Sequence, residues 1–190
     1  RIGMEFYTPF RGRFINLIWV PRGFPDTQAF LCFLEEPAVA ALMADGRRAS
    51  EYQQANVMAL LEGFNQRHLP ELNQGFGIAM ARIEAGEFLA FVGMGQKSLL
   101  HLEKFIEEKM RAAIAQKADQ LRAAYDKAEA GEQERTAAWF ERMDPLNLEA
   151  VVADYLKPER NPDIPDQMVP SDAPDVPVLL KLSPAELLGR

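Results

Sequence analysis

The chain has 190 residues, of which 48% are hydrophobic and 26% charged, and its formal net charge is −7. This composition is typical of a globular domain that buries a substantial core. The negative charge argues against a nucleic-acid-binding function, because duplex binding rests on neutralising phosphates, and no apolar run reaches the roughly 18 residues that a transmembrane helix needs.

Cys32 is the only cysteine, which excludes an intrachain disulfide. It stands in the apolar run FLCFL, so we expect a small, buried and inert thiol. With no signal-peptide pattern at the N-terminus, these features favour a soluble protein of a reducing compartment, either the cytoplasm or an organelle matrix. A first residue of Arg1 is expected for a processed form or for part of a longer protein.

The N-terminal residues predict strands. Residues 14–20 (FINLIWV) are almost all apolar, β-branched or aromatic, which favours a strand covered on both faces. Residues 2–8 form another apolar and aromatic run, which ends at Pro9. Residues 30–34 fit either a further strand or the start of a helix, because five residues are too few for periodicity to decide.

Two helices and a hairpin are expected in the middle of the chain. A short helix over 37–43 ends at Asp45-Gly46, and an amphipathic helix over 50–69 is closed by Pro70.

Residues 76–83 and 88–92 are rich in aromatic and aliphatic residues, and Gly86 lies in the connection between them. This pattern predicts an antiparallel hairpin, with the glycine supplying a positive φ in the turn.

A long amphipathic helix is predicted over residues 98–130, with Ser98 as its N-cap and Gly131 as its stop. Apolar residues recur there at steps of three and four: Leu99, Leu102, Ile106, Met110, Ala113, Leu121 and Ala124. About 33 residues give a length of roughly 50 Å, against roughly 40 Å for the diameter of a compact globule of this chain length. The helix must span the domain, project from it or fold back at a break. In the first two cases it is an interaction element, and Ile106 and Leu121 are the expected contact residues.

The composition changes after two further expected helices, over 132–143 and 148–156. We therefore divide the chain into an α+β domain of residues 1–156 and a proline-rich arm of residues 157–190. Seven prolines in the arm favour an extended path docked on the domain or on a partner.

The arm is expected to bind through spaced apolar side chains and to add little to the core of the domain. The expected contact residues are Ile164, Met168, Val176, Val178 and Leu180. Ser183 and Glu186 match a capping box, with Pro184 at the first helical position, so a last helical turn is expected there.

The residues Gly93, Gly95, Lys97 and Ser98 form the sharpest candidate for a ligand site. A strand, a glycine loop, Lys-Ser and a helix N-terminus follow one another in the order found in phosphate-binding loops. The full pattern needs a glycine directly before the lysine, where this chain has Gln96. Nucleotide or phosphate binding by an enzyme or sensor is therefore an alternative function.

A third possibility is a DNA-associated accessory protein that uses Arg11, Arg13 and Arg22, which stand among aromatic residues. The two histidines, His68 and His101, are 33 positions apart, and no spacing of histidine, cysteine and acidic residues matches a metal site. No serine has a recognisable base and orienting residue. We therefore expect no cofactor and lean against an enzyme.

The expected fold is α+β: a small, mainly antiparallel sheet packed by helices, one long helix and an extended arm. The leading hypothesis is a non-catalytic structural or assembly subunit, or protein-interaction module, of a larger complex. Its partners would be other protein subunits or further copies of the chain, contacted through the long helix and the arm.

Overall fold

A computed structural model describes residues 4–20 and 23–189. These residues have the predicted α+β fold, with a two-stranded antiparallel sheet and a long helix. The strands are β1 (Met4–Phe10) and β2 (Arg13–Trp19). The helices are α1 (Thr27–Glu35), α2 (Pro37–Gly63), α3 (Leu69–Phe76), α4 (Ala85–Val92), α5 (Leu99–Tyr125), α6 (Ala130–Met143), α7 (Leu148–Leu156) and α8 (Pro184–Leu188). A π-helix (Phe64–His68) joins α2 to α3, and two 3₁₀ turns (Pro158–Arg160 and Val178–Leu180) lie in the C-terminal segment.

The contacts group the chain into two compact units. Unit 1 consists of residues 1–56 and 165–190, and unit 2 of residues 57–164. The proline-rich segment is therefore shared: its first residues, 157–164, group with unit 2, and the remainder groups with unit 1. This grouping follows contacts, whereas the sequence-based division at residue 157 follows composition.

In unit 1, β1 and β2 form a hairpin in which Phe10 pairs with Arg13. The two turn residues between them, Arg11 and Gly12, have φ values of 51° and 79°, as a two-residue type I′ turn requires. The predicted strand is confirmed over Arg13–Trp19, but the expectation that both its faces are covered is wrong. Ile18 is 68% exposed, because a two-stranded sheet with one packed side leaves the other open.

The C-terminal segment supplies most of the core of unit 1. The fully buried apolar residues there are Ala49, Val176, Leu179, Leu180 and Leu187, and Phe6, Phe14 and Leu17 of the hairpin pack against them. The Thr8 hydroxyl is buried and donates to the Leu182 carbonyl oxygen at 2.6 Å. The expectation that the arm adds little to the core is therefore wrong, whereas the predicted capping box of Ser183 and Glu186 is confirmed.

Residues 30–34 form part of a helix, α1, whose N-cap Asp26 accepts from the Ala29 N–H at 2.7 Å. None of its residues is fully buried, and Cys32 is exposed. The prediction of a buried thiol is wrong because successive residues of a helix point about 100° apart, so the run FLCFL cannot turn every side chain inward.

The helices predicted over 37–43 and 50–69 are parts of one continuous helical segment. Asp45 and Gly46 do not interrupt α2; Asp45 instead pairs with Arg48 at 2.7 Å. The segment also passes Pro70, because the π-helix before it lets the Leu69 N–H donate to Phe64 O and places Pro70 in the first turn of α3, where no donor is needed.

The hairpin predicted over residues 76–92 is wrong. Residues 78–84 belong to neither a helix nor a strand, and two asparagine side chains bond their backbone in place of a partner strand. The Asn65 amide accepts from the Ile83 N–H and donates to the Ile83 carbonyl oxygen, both at 2.9 Å. Asn73 makes the same two bonds to Met80, also at 2.9 Å. The second predicted strand is helix α4.

The long helix is confirmed, although α5 ends at Tyr125 instead of residue 130. Gly131 lies in the first turn of α6 and, contrary to the prediction, does not end the long helix. The stripe of α5 is buried from Leu102 to Ala113 in the core of unit 2, where α5 packs against α4, α6 and α7. The helix predicted over 148–156 is confirmed as α7.

Replacing Leu180 with alanine should destabilise the protein by about 2–5 kcal/mol, because it leaves a cavity in the small core of unit 1. Val178 lies in the same 3₁₀ turn but is 42% exposed, so Val178→Ala should cost about 0.5 kcal/mol or less. Chemical denaturation followed by circular dichroism measures both changes. Equal effects of the two variants would contradict the packing of the C-terminal segment on the hairpin.

Candidate functional site

The loop between α4 and α5 contains the residues of the predicted phosphate site. Gly93 ends α4: its N–H donates to Leu89 O at 3.0 Å, and its φ of 65° lies in the left-handed region that favours glycine. Ser98 is the N-cap of α5, since its Oγ accepts from the His101 N–H at 3.3 Å. The same Oγ lies 2.8 Å from His101 Nδ1. The Ser98 hydroxyl is thus already hydrogen-bonded at the start of α5.

A helix, α4, precedes this loop where a phosphate-binding loop needs a strand. The loop is therefore a connection between two helices. Gly95 is exposed and Lys97 is half-buried. The local geometry gives the nucleotide-binding alternative no added support, and that alternative stays a prediction.

The same region carries a group of exposed apolar side chains, which we call the α4–α5 surface. Its members are Leu89, Phe91, Met94, Leu99 and Leu100, with exposed fractions of 44%, 37%, 107%, 38% and 58%. In unit 2 the only other large apolar side chain that is equally exposed is Tyr125. The exposed apolar residues of this unit are therefore concentrated in twelve consecutive positions.

The composition of α4 explains this surface. The helix reads AGEFLAFV, which is apolar on nearly all sides, and such a helix is normally buried all round. Here only Phe88 is fully buried. Exposed apolar side chains are typical of a protein–protein or membrane contact site where they form a contiguous patch. The sequence signal was present in FLAFV, but the hairpin prediction assigned these five residues to a strand and the next two, Gly93 and Met94, to a glycine loop.

The α4–α5 surface rests on a rigid support. The Phe88 and Phe91 rings lie 5.7 Å and 4.9 Å from the ring of Phe105. Lys109 Nζ lies 5.2 Å from the centre of that ring and 2.9 Å from Glu87 Oε2. These contacts fix α4 on α5, so the exposed side chains project from a defined scaffold.

The predicted contact residues on α5 and in the arm fall into three groups. Ile106, Val176 and Leu180 are buried in the protein's own cores. Leu121 and Ile164 are half-buried. Met168 and Val178 are 72% and 42% exposed and are therefore accessible to a partner in this conformation.

A small acidic cleft lies beside the surface, with a volume of about 110 Å³. Its lining includes Leu100, Glu103, Glu107 and Glu149. Partial burial, together with the nearby negative charge of Glu149, raises the pKa of the Glu103 carboxyl. Glu107 forms an ion pair with Arg111. The lining also includes Lys104, so the cleft combines three carboxyl groups with one amine.

A buried polar network surrounds His68, which is 4% exposed. Asn161 donates through Nδ2 to the carbonyl oxygens of Tyr155 and Lys157, both at 2.9 Å. Its Oδ1 must therefore accept from His68 Nε2, 3.1 Å away. Arg160 donates to both oxygens of Glu71 at 2.9 and 2.8 Å. No fully buried side-chain nitrogen or oxygen of the described residues lacks a hydrogen-bond partner, so the network holds the turn after α7 in place.

Two other features carry little chemistry. A concavity of about 340 Å³ between α5 and α6 is lined by Arg122, Tyr125 and Phe140, among others, and the Arg122 guanidinium lies 5.3 Å from the Phe140 ring centre. Of the predicted basic patch, Arg11 and Arg13 are exposed at the hairpin turn, and Arg22 lies outside the described residues.

Within residues 4–20 and 23–189, no group of three or more histidine, cysteine or acidic residues has an arrangement that could hold a metal ion. In the same ranges no helix combines the length and the apolar character needed to cross a membrane. Comparison of the chain with protein-family models, curated proteins and solved structures finds no match. The geometry of the site is therefore the basis for a functional proposal.

Glu103→Gln should raise the stability of the protein at neutral pH. The folded-state pKa lies above the unfolded value, so the unfavourable contribution of this carboxyl is absent below the unfolded pKa and complete above the folded one. The gain in Tm should therefore be seen at pH 7 and vanish by about pH 3, below the ordinary glutamate pKa. Glu108→Gln, an exposed change on the same helix, is the control. A gain that does not depend on pH would contradict this account.

Proposed function

We propose that the chain is a non-catalytic assembly subunit, a protein-interaction module that binds a neighbouring protein through the α4–α5 surface. The observation that carries this proposal is the concentration of exposed apolar side chains in residues 89–100 of unit 2. Among the described residues, no group of histidine, cysteine or acidic side chains that could hold a metal ion competes with this surface for a role.

The rigid support of the surface favours tight association. Because α4 is already held by the Phe88, Phe91 and Phe105 rings, binding does not have to order it, and the entropic cost of association is reduced. Met94 projects from the loop and is fully exposed. Methionine is flexible and polarisable, so it adapts to an apolar pocket on a partner.

The arm offers a second set of exposed side chains, in unit 1. Met168 and Val169 are 72% and 54% exposed and follow each other in a turn, and Val178 is 42% exposed. The buried neighbours of this segment hold it on the hairpin, so its exposed side chains have fixed positions. This arrangement supports a role in assembly for the arm as well as for the long helix.

Met94→Asp should weaken binding to the partner by about tenfold or more, because burying such a side chain contributes about 1.5–3 kcal/mol. The variant should fold normally, since Met94 contacts solvent. Tyr125→Asp is the matched control, because it changes another exposed apolar residue outside the surface.

The partner is first identified with a photo-crosslinking amino acid at position 94 in the native cells, compared with one at the exposed position Ala115. Binding of the purified pair is then measured by calorimetry.

Equal crosslinking at both positions, or equal loss of binding in both aspartate variants, would contradict the proposal. A partner that binds Met94→Asp with unchanged affinity would do the same.

The nucleotide-binding alternative makes its own prediction. Titration of the protein with ATP, GTP and inorganic phosphate should give no binding heat, because the strand that a phosphate loop needs is absent and Ser98 caps its own helix. Micromolar binding that is abolished in Lys97→Ala, with the fold of the variant intact, would favour the alternative.

A further inference from the structure

The two edges of the β1–β2 hairpin differ. Phe10 and Arg13 flank a two-residue turn, so they form a hydrogen-bonded pair, and such pairs alternate with pairs that exchange no bonds. The N–H and C=O groups of Phe14, Asn16 and Ile18 therefore point away from β1. On the other strand the outward position opposite Phe14 is Pro9, which has no N–H to donate.

The outer edge of β1 therefore lacks one hydrogen-bond donor, whereas the outer edge of β2 keeps the N–H groups of Phe14, Asn16 and Ile18. Proline is one of the devices by which proteins prevent further strand pairing. β2 carries no proline and no charge between Arg13 and Trp19. Among the described residues, no backbone or side-chain group outside the hairpin is hydrogen-bonded to the outward groups of Phe14, Asn16 and Ile18.

The strand is also self-complementary. When two copies of β2 pair antiparallel about Asn16, all seven residues of each strand are matched. Arg13 then faces Trp19 of the other copy, which allows a cation–π contact. Phe14 faces Ile18, an aromatic and β-branched pair that favours cross-strand association. A parallel pairing in register would instead place Arg13 against Arg13, and like charges directly opposite each other are destabilising.

We propose that two copies of this chain associate through their β2 edges, with a two-fold axis at Asn16, and join their hairpins into one four-stranded antiparallel sheet. A two-fold axis makes the same strand serve as both partners, which is the arrangement found in most homodimers. The association also covers Ile18, which is 68% exposed, and Val20, which is 50% exposed, beside the edge. The proposal concerns a different surface from the α4–α5 surface and does not depend on it.

Hydrogen exchange of the full chain tests the edge directly. The amides of Phe14, Asn16 and Ile18 should exchange at least tenfold more slowly at a concentration where analytical ultracentrifugation shows dimer than at one where it shows monomer. The amides of Ile15 and Leu17 are the internal control, because they are bonded to β1 in both states. A protein that stays monomeric at all concentrations, or a dimer whose outward amides stay unprotected, would overturn the proposal. Protection that is the same in monomer and dimer would also overturn it, since the chain itself would then cover the edge.

Charge exchange at the axis tests the register. Asn16→Lys and Asn16→Glu each place two like charges opposite each other, so each variant alone should dimerise at least tenfold more weakly than the unchanged protein. An equal mixture of the two should recover dimer, because unlike charges then meet at the axis. Tyr7→Lys, which adds the same charge on β1, should dimerise normally. Circular dichroism confirms that each variant is folded. Failure of the mixture to recover dimer, or equal loss in Tyr7→Lys, would exclude a seam centred on Asn16.

Discussion

The packing of the C-terminal segment on the N-terminal hairpin is the contact on which unit 1 depends. A two-stranded hairpin is marginally stable by itself, and α1 contributes no fully buried residue. Val176, Leu179, Leu180 and Leu187 supply the missing apolar cover, and the bond between Thr8 and Leu182 joins residues 174 positions apart. Such a non-local contact forms only after a costly loop closure, so the hairpin is stable only when the end of the chain has docked. Proline suits this role, because a segment with restricted φ loses less entropy when it is fixed.

In unit 2, a stretch of irregular backbone is buried in a core made mainly of helices. The segment of residues 78–84 is neither helix nor strand and carries Ile78, Met80 and Ile83 into the core, so its backbone polar groups require partners. Asn65 and Asn73, eight positions apart in the helical segment, provide them, and each bonds one N–H and one C=O. Asn161 acts at the end of α7, where its amide nitrogen donates to the carbonyl oxygens of Tyr155 and Lys157. No buried side-chain nitrogen or oxygen of the described residues lacks a hydrogen-bond partner, so these polar groups stabilise the fold and leave no open coordination site.

The two proposed contact surfaces would recognise partners by different physical means. The α4–α5 surface presents apolar side chains on a rigid helix pair, so its affinity would come mainly from removing Leu89, Met94 and Leu100 from water. The β2 edge presents backbone donors and acceptors, so its specificity would come from strand register and from the few side chains beside the seam. An assembly subunit can use both at once, because a self-association seam multiplies the copies of a weaker partner-binding surface.

The sequence alone determined the elements whose signals are local. The cap Ser98, the stripe from Leu102 to Met110 and the capping box at Ser183 each rest on residues three or four positions apart, and all three are present as predicted. The FINLIWV strand was also predictable from its β-branched and aromatic residues.

Tertiary structure alone decided the rest. The side chains of Asn65 and Asn73 decided that residues 78–84 do not pair with a strand. The π-helix before Pro70 decided that this proline does not end a helix. Val176 and Leu180 pack in their own domain because of a hairpin more than 150 positions away. The α4–α5 surface was missed for the same reason, because the five-residue apolar run FLAFV fits a buried strand or a half-exposed helix equally well until its neighbours are known.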